Sequence, residues 1–382
     1  MSKETKIEQL QDIIKMASVN GDELEVAQYF QNLFEEVGIE SQLIEHEEEG
    51  RASLLAELSG SGEGDILALT GHFDVVAVDD PDDWDHHPFQ GQVEDGKVYG
   101  RGTADMKAGL LGLALAMIEL KEEDFDFDGK IRFIGTAGEE IGMLGSRAIT
   151  EQGYTEDLAA MIVGEPVNPG EINTSHKGSL NYDLVAQGRA SHSSTPDEGI
   201  NAVMILTQAI ERVQEKMDQV RQDYQNDVLG ETYNSFTVIS GGTQANSIPE
   251  QARATANART IPEFSNDQII ALIQETIDEL NEELEEGRVS VEVTQNSQPV
   301  MSAEDSQLLA SFLEVLGDLE VTSFNAVTDA SNFTAVDQDF SMVIYGPGHL
   351  DLAHVLNEYV EVDAYLQYIE DIKKIIKDYY KQ

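Results

Sequence analysis

No cysteine occurs in the 382 residues. That excludes disulfides, thiolate catalysis and cysteine-ligated structural zinc together. Positive charge is scarce: 23 Lys and Arg stand against 73 Asp and Glu, for a formal net charge of −50. So acidic a surface repels nucleic acid and anionic membranes at neutral pH. Solvation in a salty or acid-adapted cytoplasm is the plain reading of the excess, and any metal site would consume part of it. No run approaches the roughly 18 apolar residues that a membrane helix needs. The opening Met1-Ser2-Lys3-Glu4-Thr5-Lys6 leads into a mixed polar segment without the apolar stretch of a signal peptide. The expectation is a soluble, cytoplasmic protein with neither a nucleic-acid nor a membrane partner. Repeats and low-complexity tracts are also lacking, and the acidic clusters at 47–49 and 79–85 read as short loops. What is present is apolar residues at 41% of the chain, enough to bury a real core. The length suits two or three domains.

Apolar residues at helical spacing predict helices over 7–16 and 22–37. Strand-like runs follow at 66–69, 131–135 and 159–163, with a helix over 107–119 between the first two. Alternating strands and helices argue for an α/β fold with a mostly parallel sheet covered on both faces. The pattern changes after Lys177. A strand over 180–186, a helix over 201–217, strands over 236–239 and 252–258, a helix over 266–284 and a strand over 289–293 spell βαββαβ, the ferredoxin-like order. The first pattern then resumes with a helix over 304–316, a buried strand over 342–345 and a final helix over 362–379. The predicted organisation is a larger α/β domain of residues 1–177 and 295–382, interrupted by an inserted α+β domain of 178–294.

Four segments place metal-type ligands where a buried strand gives way to a polar turn. They are Thr70-Gly71-His72-Phe73-Asp74-Val75-Val76, Gly100-Arg101-Gly102-Thr103-Ala104-Asp105-Met106-Lys107, Thr136-Ala137-Gly138-Glu139-Glu140-Ile141-Gly142 and Val163-Gly164-Glu165-Pro166. Roughly one βα unit separates each from the next, so they can converge only at one sheet edge, where open α/β sheets bind ligands. The pattern points to a metal-dependent hydrolase. His72 has Asp74 two positions on, able to orient the imidazole. Glu139 and Glu140 are neighbours whose side chains diverge, so they cannot share one role.

These segments, together with Gly346-Pro347-Gly348-His349-Leu350-Asp351-Leu352-Ala353-His354-Val355-Leu356-Asn357-Glu358, resemble the acetylornithine deacetylase/succinyl-diaminopimelate desuccinylase/aminoacylase group of two-metal amidohydrolases and exopeptidases. The resemblance covers nearly the whole chain. It implies His72, Glu140, Glu165 and a final histidine as metal ligands, with Glu140 and Glu165 at different metals, and Asp105 bridging both, followed by a cis peptide to Met106. His354 fits the family spacing for that last ligand and His349 does not. Glu139 would be the general base. The mixed N/O donor set suits two divalent ions, zinc first, with cobalt or manganese permitted. In the inserted domain, Gly188-Arg189-Ala190-Ser191-His192 matches a lid motif whose histidine stabilises the oxyanion, from the partner subunit in dimeric members, so a homodimer through that domain is expected. Asn246 and Arg259 match positions that hold a substrate carboxylate, and Thr328 and Asn332 lie in a matching substrate loop. Trp84, Pro88 and Phe89 match a loop shaping the site mouth, whereas His46, His86 and His87 carry no motif and read as surface residues.

Three departures matter. Asn257 stands where many members have Asp, Ser331 lies where an arginine is often found, and Lys177 stands where desuccinylases often present Arg. Fewer cations at the acyl pocket weaken the case for a dicarboxylic substrate. Succinyl-diaminopimelate remains the leading substrate; another N-acyl amino acid, such as N-acetylornithine, or a peptide cleaved by a dipeptidase or carboxypeptidase, is the alternative. A metal-free binding module is the reading from another class.

Overall fold

The computed structural model describes residues 1–303, 305–317, 319–334 and 341–381. The chain divides into two compact units. One comprises Met1–Ser175, Met301–Phe324 and Thr328–Gln382; the other comprises His176–Val300 and Asn325–Val327.

The first unit is built on a nine-stranded sheet. At its centre Ile66–His72 lies between Lys130–Thr136 and Ala160–Val163, with Ser341–Ile344 beyond, all parallel. These strands are buried along almost their whole length, as expected when both faces are covered. The flanks are antiparallel: Ala52–Ser59 pairs with Lys130–Thr136, Glu40–Glu45 with Ala52–Ser59, and Glu171–His176 with Ser341–Ile344. The parallel reading of the sequence therefore holds for the centre, and the flanking strands escaped it. Glu40–Glu45 is mostly exposed and polar, so it lacks the apolar run that betrays a central strand.

Helix Ala108–Glu122 is apolar on all sides, and every residue from Ala108 to Leu120 is buried. A helix of that kind belongs inside a fold. Two glycines let it approach its neighbours. A Cβ on Gly109 would lie 1.8 Å from the Gly164 carbonyl oxygen, and one on Gly112 would lie 2.6 Å from the Tyr368 ring of helix Val362–Tyr379. The helix predicted over 304–316 runs Gln307–Leu316, with Ser306 capping the Leu309 amide; Glu304 lies outside the described residues.

The second unit is a four-stranded sheet ordered Tyr233–Gly241, Gln251–Thr260, Gly178–Gln187, Arg288–Ser297, every neighbouring pair antiparallel. Alternate residues Leu180, Tyr182, Leu184 and Ala186 are buried against helices Ala202–Asp223 and Asn266–Glu283. Ser265 and Gln268 form a reciprocal capping box at the start of the second helix.

Candidate active site

Strand register fixes the place of the first candidate ligands. His72 is the last residue of its strand and stands beside Thr136, while Thr70 stands beside Val163. The turns carrying Asp74, Glu139, Glu140 and Glu165 therefore leave one edge of the sheet together. His72 Nδ1 lies 2.9 Å from the Asp74 carbonyl oxygen, so an Nδ1–H donates there and Nε2 faces Asp105. That differs from the expected carboxylate orienter, since the nearer Asp74 carboxylate oxygen is 3.6 Å from Nδ1. The Asp74 carboxylate instead accepts the main-chain N–H groups of Glu139 and Glu140, both at 3.1 Å.

Asp105 sits between two imidazoles. Its Oδ1 is 3.2 Å from His72 Nε2 and its Oδ2 is 3.2 Å from His354 Nε2. Glu165 Oε1 lies 3.6 Å from His72 Nε2, and Glu140 Oε1 lies 2.9 Å from His354 Nε2. The five expected ligands thus form two N/O/O sets that share one carboxylate, and the donor atoms of His72, Asp105 and Glu140 lie within 4.8 Å of one another. The peptide between Asp105 and Met106 is cis. His349 is exposed, and its ring has no hydrogen bond or ion pair among the described residues.

Burial pushes the Glu139 carboxyl well above the usual carboxylate range, against the pull of His72 and with help from Asp329, Glu165 and Glu140. Its carboxylate has no hydrogen-bond or ion-pair partner among the described residues, which leaves it available to a substrate or water. Burial and the Asp105 charge also raise Glu165. For Asp105, burial is outweighed by the two imidazoles, which hold it below the usual range. His354 is pushed up to about 10 by Asp105 and Glu140; His72 is raised well above normal because Asp105, Glu165 and Asp74 overcome its burial. So many carboxylates around two imidazoles, with no arginine or lysine paired to them among the described residues, fit divalent cations. The nearby cations are engaged elsewhere: Arg101 with Glu358 at 2.6 Å, and Lys107 with the carbonyls of Ile13 and Met16 at 2.9 and 2.7 Å.

Three residues of this region carried no role in the sequence reading. Glu358, fully buried, accepts from the main-chain N–H of Ala104 at 2.7 Å and of Asp105 at 3.1 Å, so it shapes the turn that presents Asp105. Arg101 neutralises it and lies 5.2 Å from the buried Trp84 ring. Asp329 accepts from Thr136 and Ser146. The signal for Glu358 was its place at the end of the His354 motif. His46, expected at the surface, is half-buried instead, because Ser53 Oγ bonds its Nε2 at 2.8 Å and also accepts the Ala137 N–H. His86 is likewise half-buried, its ring 4.1 Å from that of Tyr99, whereas His87 is exposed.

The other expected substrate residues are placed as follows. Within the second unit, exposed His192 pairs in register with Ser247, next to exposed Asn246, and its Nδ1 lies 2.7 Å from Ser194 Oγ. Arg259 is half-buried, and its guanidinium has no hydrogen-bond or ion-pair partner among the described residues. Lys177 is engaged within that unit: its ammonium donates to the Glu231 carbonyl and sits 4.3 Å from the Tyr233 ring centre. In the first unit Thr328 is fully buried, and its Oγ1 accepts the Ala330 N–H. The Asn332 amide donates to Ser146 Oγ at 2.8 Å and to the Met143 carbonyl at 3.4 Å. Lys177, Thr328 and Asn332 thus all have partners within their own fold.

The site has the donors of a metal-dependent hydrolase, and a Glu139 carboxylate without a partner among the described residues. The model of peptidase family M20/M25/M40 matches residues 68–378. A probable succinyl-diaminopimelate desuccinylase of Staphylococcus aureus (strain MRSA252) is 34% identical over 410 aligned residues, spanning 100% of this chain and 99% of that one. An M20 family metallo-carboxypeptidase from Sulfolobus solfataricus shares the fold with a TM-score of 0.80 at 18% identity, over 99% of both chains. A dinuclear metal-binding peptidase of the same family from Bacillus subtilis does so with 0.70 at 16%, over 98% of this chain and 97% of that one. The chain belongs to peptidase family M20/M25/M40, whose members are metallopeptidases and amidohydrolases, and it is such an enzyme.

Proposed function

We propose that the protein hydrolyses the amide bond of an N-acyl amino acid, with N-succinyl-diaminopimelate as the leading substrate, in a cytoplasmic route to diaminopimelate and lysine. The observation that carries the reading is Asp105 shared between His72 and His354, beside a Glu139 carboxylate that has no hydrogen-bond or ion-pair partner among the described residues. His72, Asp105 and Glu165 would hold one divalent ion, and His354, Asp105 and Glu140 the other, zinc by preference and cobalt or manganese as alternatives. Bound there, the ions would acidify a water and polarise the scissile carbonyl. Glu139 takes the proton of the attacking water and delivers it to the leaving amine. Asp74 fixes the Glu139-Glu140 main chain through two N–H bonds, which orients base and ligand in different directions.

The full-length likeness to a probable desuccinylase supports the succinyl substrate. The engaged Lys177 and the neutral Asn257 favour a second reading, cleavage of N-acetyl substrates or unmodified peptides. Reconstituting the protein with each metal and assaying N-succinyl, N-acetyl and dipeptide substrates decides between them. Preference for N-succinyl-diaminopimelate is expected, and preference for free dipeptides would replace it with the peptidase reading. Metal analysis of the purified protein tests the metal-free alternative.

The inserted ferredoxin-like unit is proposed as lid and dimerisation domain, with His192 as oxyanion donor and Asn246 and Arg259 as carboxylate receptors. The strand Tyr233–Gly241 ends its sheet with Val238 and Ile239 exposed at 59% and 64%. An apolar edge strand of this kind is a template for pairing with a second copy. Ile239→Lys should therefore convert a dimer to a monomer in sedimentation analysis.

A further inference from the structure

The turn that carries Glu139 and Glu140 is locally demanding. Gly138, Gly142 and Met143 all have positive φ, at 71°, 117° and 60°. Such a conformation is costly at Met143 and persists only where its surroundings fix it. Thr136, fully buried, ends the preceding strand; Ser146, also fully buried, lies in helix Leu144–Glu151 that follows. One carboxylate spans the gap. Asp329, 3% exposed, accepts from Thr136 Oγ1 on Oδ2 and from Ser146 Oγ on Oδ1, each at 2.5 Å. We propose that Asp329 is a positioning residue for amide hydrolysis, closing the 136–146 loop so that the Glu139 carboxylate is held at the reacting water. The inference rests on Glu139 being the general base.

Hydroxyl satisfaction alone does not explain the arrangement. Thr136 Oγ1 also has the Gly71 carbonyl at 3.2 Å, and Ser146 Oγ has the Met143 carbonyl at 3.2 Å. Loss of Asp329 therefore leaves neither hydroxyl an orphan. What disappears is the side-chain tie between the two ends of the loop. Within the loop the Ala137 carbonyl accepts the Gly145 N–H at 2.8 Å and the Gly138 carbonyl accepts that of Met143 at 2.7 Å. Those bonds shape the turn, and the Asp74 carboxylate grips its middle through Glu139 and Glu140. With the middle and both ends held by buried carboxylates, the base has little freedom to move.

The test uses the metal-reconstituted full chain and its best amide substrate. Asp329→Asn should lower kcat by about 10- to 100-fold, the scale set by sub-ångström misplacement of a reacting group. KM and metal content should stay within about twofold of the parent, because the substituted groups touch neither. Thr136→Val and Ser146→Ala should each reproduce part of the loss, and neither should worsen Asp329→Asn when combined with it. Unchanged kcat in folded Asp329→Asn overturns the proposal. So do additive double variants, and so does a loss cured by excess metal, which would make Asp329 a support of the metal site. If Asp329→Asn fails to fold, the Thr136→Val/Ser146→Ala pair carries the test, and unchanged kcat there is equally fatal. Glu139→Gln is the control: full activity in it removes the base assignment, whereas its loss beside an intact Asp329→Asn refutes only the present inference.

Discussion

At the scale of single residues, two adjacent glutamates have opposite surroundings. Glu140 reaches His354 Nε2 at 2.9 Å, and the Glu139 carboxylate touches no described partner. Glu139→Gln should keep its metals and lose about 10²–10⁴-fold in turnover, since an amide cannot shuttle a proton. Glu140→Gln should instead lose metal, and equal metal loss in both variants would refute the assignment. Stripped of metal, the site should also show in the pH dependence of stability. Glu139, Glu165, His72 and His354 are all raised by the fold, so each binds its proton more tightly folded than unfolded. Their contributions are present below the ordinary Glu and His values, about 4.3 and 6.5, and fade as pH rises toward the folded values, about 10 for His354. Asp105, held low, works the other way, and only at acid pH. Melting temperature of the chelated protein should thus fall from pH 5 to pH 9, and added divalent metal should restore most at the alkaline end. A flat profile would mean that the carboxylates are not packed as described.

Among the elements, helix Ala108–Glu122 packs directly on the turn that carries Glu165, a proposed ligand. Gly109 lies so near the Gly164 carbonyl that a methyl group there would sit 1.8 Å from its oxygen. Main chain cannot swing aside as a side chain can, so Gly109→Ala must shift either the helix or the Gly164-Glu165 turn. We expect a cost of about 1–3 kcal/mol in unfolding free energy, together with reduced metal occupancy through Glu165. Loss of stability with full metal occupancy would show that the helix yields instead. The helix was legible from its apolar run, and its role was not. Contacts between Gly109 and Gly164 join residues far apart in sequence, which no periodicity reports.

On the scale of the whole molecule, charge and partnership dominate. A net charge of −50 repels itself, and salt shortens the range of that repulsion from about 30 Å at 0.01 M to about 3 Å at 1 M. Melting temperature should climb across that range, and a fall would mean that specific ion pairs outweigh the net repulsion. The partnership is tested through His192. His192→Ala should depress kcat far more than it raises KM, as for a contact made mainly to the oxyanion. Mixing His192→Ala with Glu139→Gln chains should restore part of the activity if a dimer shares its sites. No recovery, with subunit exchange shown independently, would leave each chain its own histidine or make His192 structural.

The sequence by itself determined the kind of protein. Ligands set at strand ends, one βα unit apart, must meet at a sheet edge, and His72, Asp105, Glu140, Glu165 and His354 do meet. It determined the central strands too, because burial on both faces demands an unbroken apolar run. Only tertiary structure decided which groups serve those ligands. Glu358 beneath Asp105, Asp329 across the Glu139 loop and the Asp74 carboxylate on the Glu139 and Glu140 main chain are pairings made by hydrogen bonds over long stretches of chain. A lone carboxylate looks the same in a sequence whether it binds water, metal or a buried amide; what sets it apart is what folding brings within 3 Å of it.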